Sequence, residues 1–209
     1  MRVLEIYGHR TTDMNIIVRP YGSELCHCRP DTTWERENKD FYSPECVNEI
    51  WWTPVVFARV CKAGKCVGNK FVGRYYDGVG CGMLMYGAVS QPPTETRQAL
   101  VSCIDRSSIF PMPLYNAVVM ENEGNEYGVE IGGMTVPVIG TEGAMESGKA
   151  KELLEETICK ASELTSLRIG DFVAVELEGM KRLASKEAGT TSVKGTFCEN
   201  EIFDFNVIF

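Results

Sequence analysis

Apolar and polar positions along this chain of 209 residues follow two rhythms, and the strand rhythm of two dominates the helix rhythm of 3.6. Residues 2–6 and 15–18 read as short strands. Residues 29–50, with Pro30, Pro44 and many charges, predict irregular structure. Residues 55–61 form a nearly continuous apolar run of strand length, and Gly64 marks a turn after it. Residues 69–77 predict a short helix, with Phe71 and Tyr75 on one face and Val72 and Tyr76 on another. Residues 79–86 predict a buried strand in which Gly80 and Gly82 allow close packing or a bulge. Pro92-Pro93 interrupts the chain, and a short helix is predicted over 94–100.

Residues 117–120 and 127–131 flank a Glu-Asn-Glu-Gly-Asn stretch and predict a hairpin, which residues 135–139 extend. The strongest helical pattern spans 149–164. There Leu154, Ile158, Ala161 and Leu164 make one apolar face, opposite Glu152, Glu155, Glu156 and Lys160. Residues 167–171 read as a turn into a strand over 172–177. In the closing segment 202–209, Phe203, Phe205, Val207 and Phe209 alternate with Ile202, Asp204, Asn206 and Ile208, so the phenylalanine face is expected inward. Strands outnumber helices without regular alternation. The expected fold class is α+β, mainly β, as one domain over 1–209 with a few short helices and one longer amphipathic helix.

Composition narrows the function. At 44% hydrophobic and 24% charged, the chain reads as a soluble globular protein. Its formal charge of −8, with Lys and Arg scattered, argues against nucleic acid and anionic membrane as partners. Residues 1–6 do not read as a signal peptide, and no apolar run is long enough to span a bilayer. The nine cysteines are therefore expected as reduced thiols in a cytoplasmic protein.

A block from Arg29 to Gln91 carries a more specific message. It opens on Arg29-Pro30, continues through Val47-Asn48-Glu49-Ile50, Val60-Cys61-Lys62-Ala63-Gly64-Lys65 and Arg74-Tyr75-Tyr76-Asp77, and ends in the apolar segment 79–86. With Leu167-Arg168-Ile169-Gly170-Asp171 further on, this frame resembles the catalytic domain of the fumarylacetoacetate hydrolase family, especially its short single-domain members. The resemblance implies a mixed β-sandwich roll that is generally dimeric. It also implies hydrolase, isomerase or decarboxylase chemistry on oxo-acids and diketones, with magnesium or a similar hard cation as cofactor.

The same alignment places Thr53 and Val55 at the family's paired glutamates, because Trp51-Trp52-Thr53-Pro54-Val55 stands where a His-x-Glu-x-Glu motif is expected. Leu84 falls on the aspartate position, Met14 near the catalytic histidine and Ser102 near the lysine. Val175-Glu176-Leu177 replaces a Gly-Thr-Pro. None of these substitutes grips a hard cation as a carboxylate does. The expectation is a catalytically silent protein with no metal or other cofactor, in which Trp52 fills the cleft. Such a protein is expected to be a homodimer that binds or regulates, with an active paralogue or a small organic acid as partner.

Two alternatives stay open. Glu45 or Glu49, just before the vacated positions, supply relocated carboxylates for a divergent enzyme; or Cys26, Cys28, Cys61 and Cys66 build a thiol redox or metal module. Cys26-His27-Cys28 lacks zinc-finger spacing and reads more simply as a polar strand edge with free thiols. His9 could act as a displaced base, but a set of Ser102, His9 and Asp13 has no motif behind it. The glycines of 78–82 lie on a strand, which does not suit a phosphate loop.

Overall fold

Two long antiparallel strands carry the architecture. In a computed structural model that describes residues 14–88 and 101–209, β5 (Glu49–Val60) pairs with β6 (Tyr76–Ala88) along almost its whole length. Both are apolar on both faces, as strands at the centre of a covered sheet must be. The predicted strand at 55–61 thus begins earlier, at Glu49, and takes in Trp51 and Trp52.

The other strands preceding them are β1 (Ile16–Arg19), β2 (His27–Arg29), β3 (Trp34–Glu35) and β4 (Phe41–Tyr42). Those that follow are β7 (Ser108–Ile109), β8 (Tyr127–Ile131), β9 (Met134–Ile139), β10 (Phe172–Glu176), β11 (Lys181–Ser185), β12 (Thr190–Phe197) and β13 (Asn200–Ile208). An eight-stranded mixed sheet runs β2-β1-β10-β5-β6-β7-β3, with β11 continuing on β5 beside β10. A five-stranded sheet runs β4-β13-β12-β8-β9. The predicted strand at 2–6, the helix at 94–100 and His9 lie outside the described residues.

Local chemistry explains the joints. Pro54 sits inside a central strand, where a missing N–H is normally excluded. Its carbonyl accepts from Leu177 N at 2.9 Å. Its nitrogen therefore faces the same gap, where β5 changes partner from β10 to β11 and no ladder bond is required. A Cβ on Gly82 would lie 2.2 Å from the Ile109 carbonyl oxygen, and one on Gly80 would meet the Phe57 ring at 2.5 Å, so these glycines admit β7 and Phe57. Of the two readings for these glycines, close packing is the one realised. Gly170, at φ +96°, makes the turn into β10. Asp171 then accepts from Asn15 N and Arg168 N, each at 2.8 Å, and ties β1 to β10.

The helix α1 (Ser147–Leu164) buries Leu154, Ile158 and Ala161 in the main core. Leu164, placed on that face by periodicity, is 63% exposed because the helix ends there and Thr165 is already extended. On β13 the expected face is inward, with Phe203, Phe205 and Val207 buried. The predicted hairpin over 117–131 is corrected. Ala117–Glu121 is a 3-10 helix whose start is capped by the Asn116 side chain, which accepts from Val118 N at 3.0 Å. The hairpin forms instead between β8 and β9, across Gly132-Gly133, both at positive φ. Residues 69–74 are a 3-10 helix rather than a longer one; Val72 and Tyr76 are buried while Phe71 is exposed.

Two apolar clusters result. The larger lies between the two sheets and α1. The smaller covers the opposite face of the eight-stranded sheet and contains Ile16, Val18, Val55, Phe57, Leu84, Tyr86, Phe110 and Phe172. Phe57 and Phe110 stack there with ring centroids 4.3 Å apart. Each fully buried ring of this kind contributes about 1.5–3 kcal/mol.

Candidate functional site

The smaller cluster is where the aligned positions meet. Thr53 and Leu84 are directly opposite each other on β5 and β6, and Val55 is opposite Gly82, so the three side chains share one face. Met14 packs against this cluster from just before β1. Ser102 is buried and lines an adjoining cavity of about 510 Å³. The five positions assigned from the alignment thus border one region of the molecule.

Trp52 does not join them. Strand alternation turns it to the other side, where it is 1% exposed in the main core with Val56 and Ala58. The residue filling this side is Trp51, which packs against the smaller cluster and lines the cavity opposite Tyr86. The expected cleft filler is corrected from Trp52 to Trp51.

Nor do the nominated carboxylates reach the aligned positions. Glu45 is exposed in a turn. Glu49 accepts from Trp51 Nε1 at 3.2 Å, pairs with Arg182 at 3.5 Å, and lines a separate, more polar cleft with Lys186 and Glu187. A different acid stands there. Glu176 on β10 is the ladder partner of Val55, and it is 3% exposed. Its Oε1 accepts from the Tyr86 hydroxyl at 2.5 Å, and its Oε2 accepts from Tyr21 N at 2.9 Å. Burial holds its carboxyl above the usual range, while the bonds from Tyr86 and Tyr21 and the nearby Arg29 charge act the other way.

Arg29 completes the arrangement. It is 2% exposed on β2, with its guanidinium 4.8 Å from the centre of the Tyr86 ring. Its Nη2 donates to the Met85 carbonyl at 3.0 Å and to Ser107 Oγ at 2.6 Å. Burial pulls its pKa below that of a free guanidinium. Two residues before it, His27 lines the cavity, and burial and Arg29 together depress the imidazole to about 4, leaving it neutral near pH 7. Burial raises the Tyr86 hydroxyl, so it stays a donor.

The hard cation implied by the resemblance needs several anionic oxygens on this face. Thr53 offers one hydroxyl, and that donates to the Glu178 carbonyl at 2.7 Å. Val55 and Leu84 offer none. Glu176 is already engaged through both oxygens and lies near a guanidinium, which repels a dication. Among the described residues no three His, Cys, Asp or Glu side chains cluster as metal ligands. The donor set does not fit the group.

Cys26 and Cys28 flank His27 at the sheet edge, and none of the nine cysteines is in a disulfide. Sequence reasoning named His27 and Arg29 only as parts of motifs and did not nominate Tyr86 or Glu176. A lone carboxylate inside the apolar run Phe172–Glu176 was the available signal.

No protein-family model matches the chain, and no curated protein matches it significantly. Solved structures do. Fumarylpyruvate hydrolase from Pseudomonas aeruginosa, in complex with Mn2+ and pyruvate, is similar at 14% identity and a TM-score of 0.65, over 97% of this chain and 100% of that one. A 2-hydroxyhepta-2,4-diene-1,7-dioate isomerase from Mycobacterium marinum is similar at 11% identity and a TM-score of 0.74, over 94% and 75%. A protein described as a fumarylacetoacetate hydrolase family member from Yersinia pestis CO92 is similar at 12% identity and a TM-score of 0.70, over 94% and 93%. At these identities the likeness is one of architecture: this chain has the fold of the fumarylacetoacetate hydrolase family.

Proposed function

We propose that this protein is a catalytically silent form of the fumarylacetoacetate hydrolase fold that uses the retained cavity to bind a small molecule without a divalent cation. One observation carries the reading. Thr53, Val55 and Leu84, aligned with the family's metal carboxylates, lie together on one buried apolar face and supply no anionic oxygen. Desolvating a dication there without carboxylates costs several kcal/mol or more, enough to remove useful affinity. The cavity beside that face has the size and apolar walls of a small-molecule site.

The test is metal analysis of protein purified without chelators, followed by Mn2+ titration in a calorimeter. Less than stoichiometric metal and no saturable heat are expected. A stoichiometric magnesium or manganese ion whose binding is lost in Leu84→Arg would overturn the reading.

A second reading rests on Glu176. A buried carboxyl with a raised pKa, bonded to a tyrosine beside a cavity, suits proton transfer in a divergent enzyme. Metal-free turnover of acylpyruvates that disappears in Glu176→Gln would favour it.

A further inference from the structure

The connection from β5 to β6 has a composition unlike the rest of the chain. Residues 59–74 carry Arg59, Lys62, Lys65, Lys70 and Arg74 and no acidic residue, although the formal charge of the whole is −8. A net negative charge spread evenly disfavours an anionic partner. A basic cluster escapes that rule, because exposed charges more than about 8–10 Å apart are largely screened at physiological salt.

The fold adds to the cluster. Gly64 and Leu167 bond each other in both directions, at 3.1 and 2.8 Å, and Cys66 N donates to the Ser162 carbonyl at 2.9 Å. The loop after α1, with exposed Arg168, therefore lies beside the basic connection. Leu164 at the helix end and Ile169 in the loop are 63% and 69% exposed, and Phe71 is 47% exposed. Cations and large apolar side chains thus share one end of the molecule, about 30 Å along β5 from Trp51 and the cavity.

Several lysines elsewhere on the surface, among them Lys151, Lys160, Lys181 and Lys194, pair with glutamates. At this end Arg59 pairs with Asp77 at 3.0 Å. Among the described residues, Lys62, Lys65, Lys70, Arg74 and Arg168 stand in no ion pair. Three of these heads rest on rings instead. Lys62 lies 5.2 Å from the centre of the Tyr75 ring, and Arg74 and Lys70 lie 5.2 and 6.0 Å from that of Phe71. This arrangement discriminates among anionic partners. A bilayer that took in Phe71 would take in two charged groups with it, at a cost in desolvation. A nucleobase stacking on Phe71 would have to displace those heads. Carboxylates of a polypeptide need neither, since they meet the cations at the surface while an apolar side chain packs on Leu164 or Ile169.

We propose that this end of the molecule is a docking surface for a partner polypeptide, engaged through an acidic segment that also carries apolar side chains.

The probe is a fluorescein-labelled peptide of repeated Glu-Glu-Leu, with Gln-Gln-Leu as its neutral counterpart, followed by fluorescence anisotropy on the whole chain. The acidic peptide is expected to bind, less tightly as salt is raised, and the neutral one about tenfold more weakly or worse. Lys70→Glu with Arg74→Glu is expected to weaken the acidic peptide by about tenfold or more. Both side chains are exposed, so the melting temperature is expected to hold. Should this pair fail to fold, Lys62→Glu with Lys65→Glu carries the same expectation. Lys149→Glu with Lys186→Glu changes the net charge equally at two exposed lysines elsewhere, and is expected to leave affinity within about twofold. No saturable binding of the acidic peptide, or an equal loss in the variant at Lys149 and Lys186, overturns the proposal. Tighter binding to phosphatidylserine vesicles or to single-stranded RNA than to the peptide overturns it in favour of those partners. Salt-sensitive self-association abolished by the first pair overturns it in favour of a second copy of this chain.

Discussion

Glu176 stands directly across the β-ladder from Val55, so a carboxylate on β10 faces a position where the family alignment calls for one on β5. It is not free to act as that carboxylate, because Tyr86 and Tyr21 hold both of its oxygens. Replacing it with alanine leaves a buried hydroxyl and a backbone N–H without acceptors. Glu176→Ala is expected to destabilise by about 1–3 kcal/mol per unmet group, and Glu176→Gln by less, because its amide oxygen still accepts. Urea unfolding midpoints of the two variants check the order.

Leu84 is fully buried among Val55, Phe57 and Phe110. An unpaired carboxylate there is expected to destabilise by about 3 kcal/mol or more in Leu84→Asp. One restored carboxylate facing the Thr53 hydroxyl does not make a cation site, so Mn2+ is expected to leave the melting temperature of this variant unchanged. A melting temperature that climbs with Mn2+ would show that the donor set is closer to complete than the geometry indicates.

The His27 imidazole is depressed to about 4 in the fold, against 6.5 when unfolded. Above pH 6.5 it is neutral in both states and its burial is tolerated. As pH falls from 6.5 to 4 the unfolded chain takes up the proton first, so stability is lost in that window, by up to about 3 kcal/mol. Glu176 pulls in the opposite direction, since burial raises its pKa, but this contribution is common to wild type and variant. His27→Gln is therefore expected to show a flatter stability profile between pH 7 and 4 than the wild type, by chemical denaturation at each pH.

Gly82 admits the Ile109 carbonyl so closely that even a methyl group must displace β7. Gly82→Ala is expected to destabilise by about 1–3 kcal/mol through backbone shift, with Gly73→Ala, where nothing lies near, as the neutral control. Equal melting temperatures for the two variants would count against this packing.

Much of this fold could be read from local pattern. The alternation at Phe203, Phe205 and Val207 assigned the inner face of β13, and the spacing of Leu154, Ile158 and Ala161 assigned that of α1. Parity also orients the tryptophans: counting back two from Thr53 gives Trp51, which shares its face, while Trp52 falls on the other. Ala117–Glu121 was different. Its apolar run fits a strand, and the asparagine cap that makes it a 3-10 turn is a weak local signal. β11 and β12 mix polar and apolar residues, so their strand pattern is weak. The site itself was half legible. The aligned positions on β5 and β6 are local to one hairpin, but Glu176 reaches Val55 only through pairing across more than a hundred residues, which no local pattern encodes.

A guanidinium anchored to β2 has one consequence for how this protein would behave in a cell. An ion bound by carboxylates can be stripped by chelators, exchanged for a competitor or left out when supply is short. Arg29 is carried by the polypeptide itself and is present in every molecule from the moment of synthesis. Its charge is set by the fold itself and needs no supply from outside.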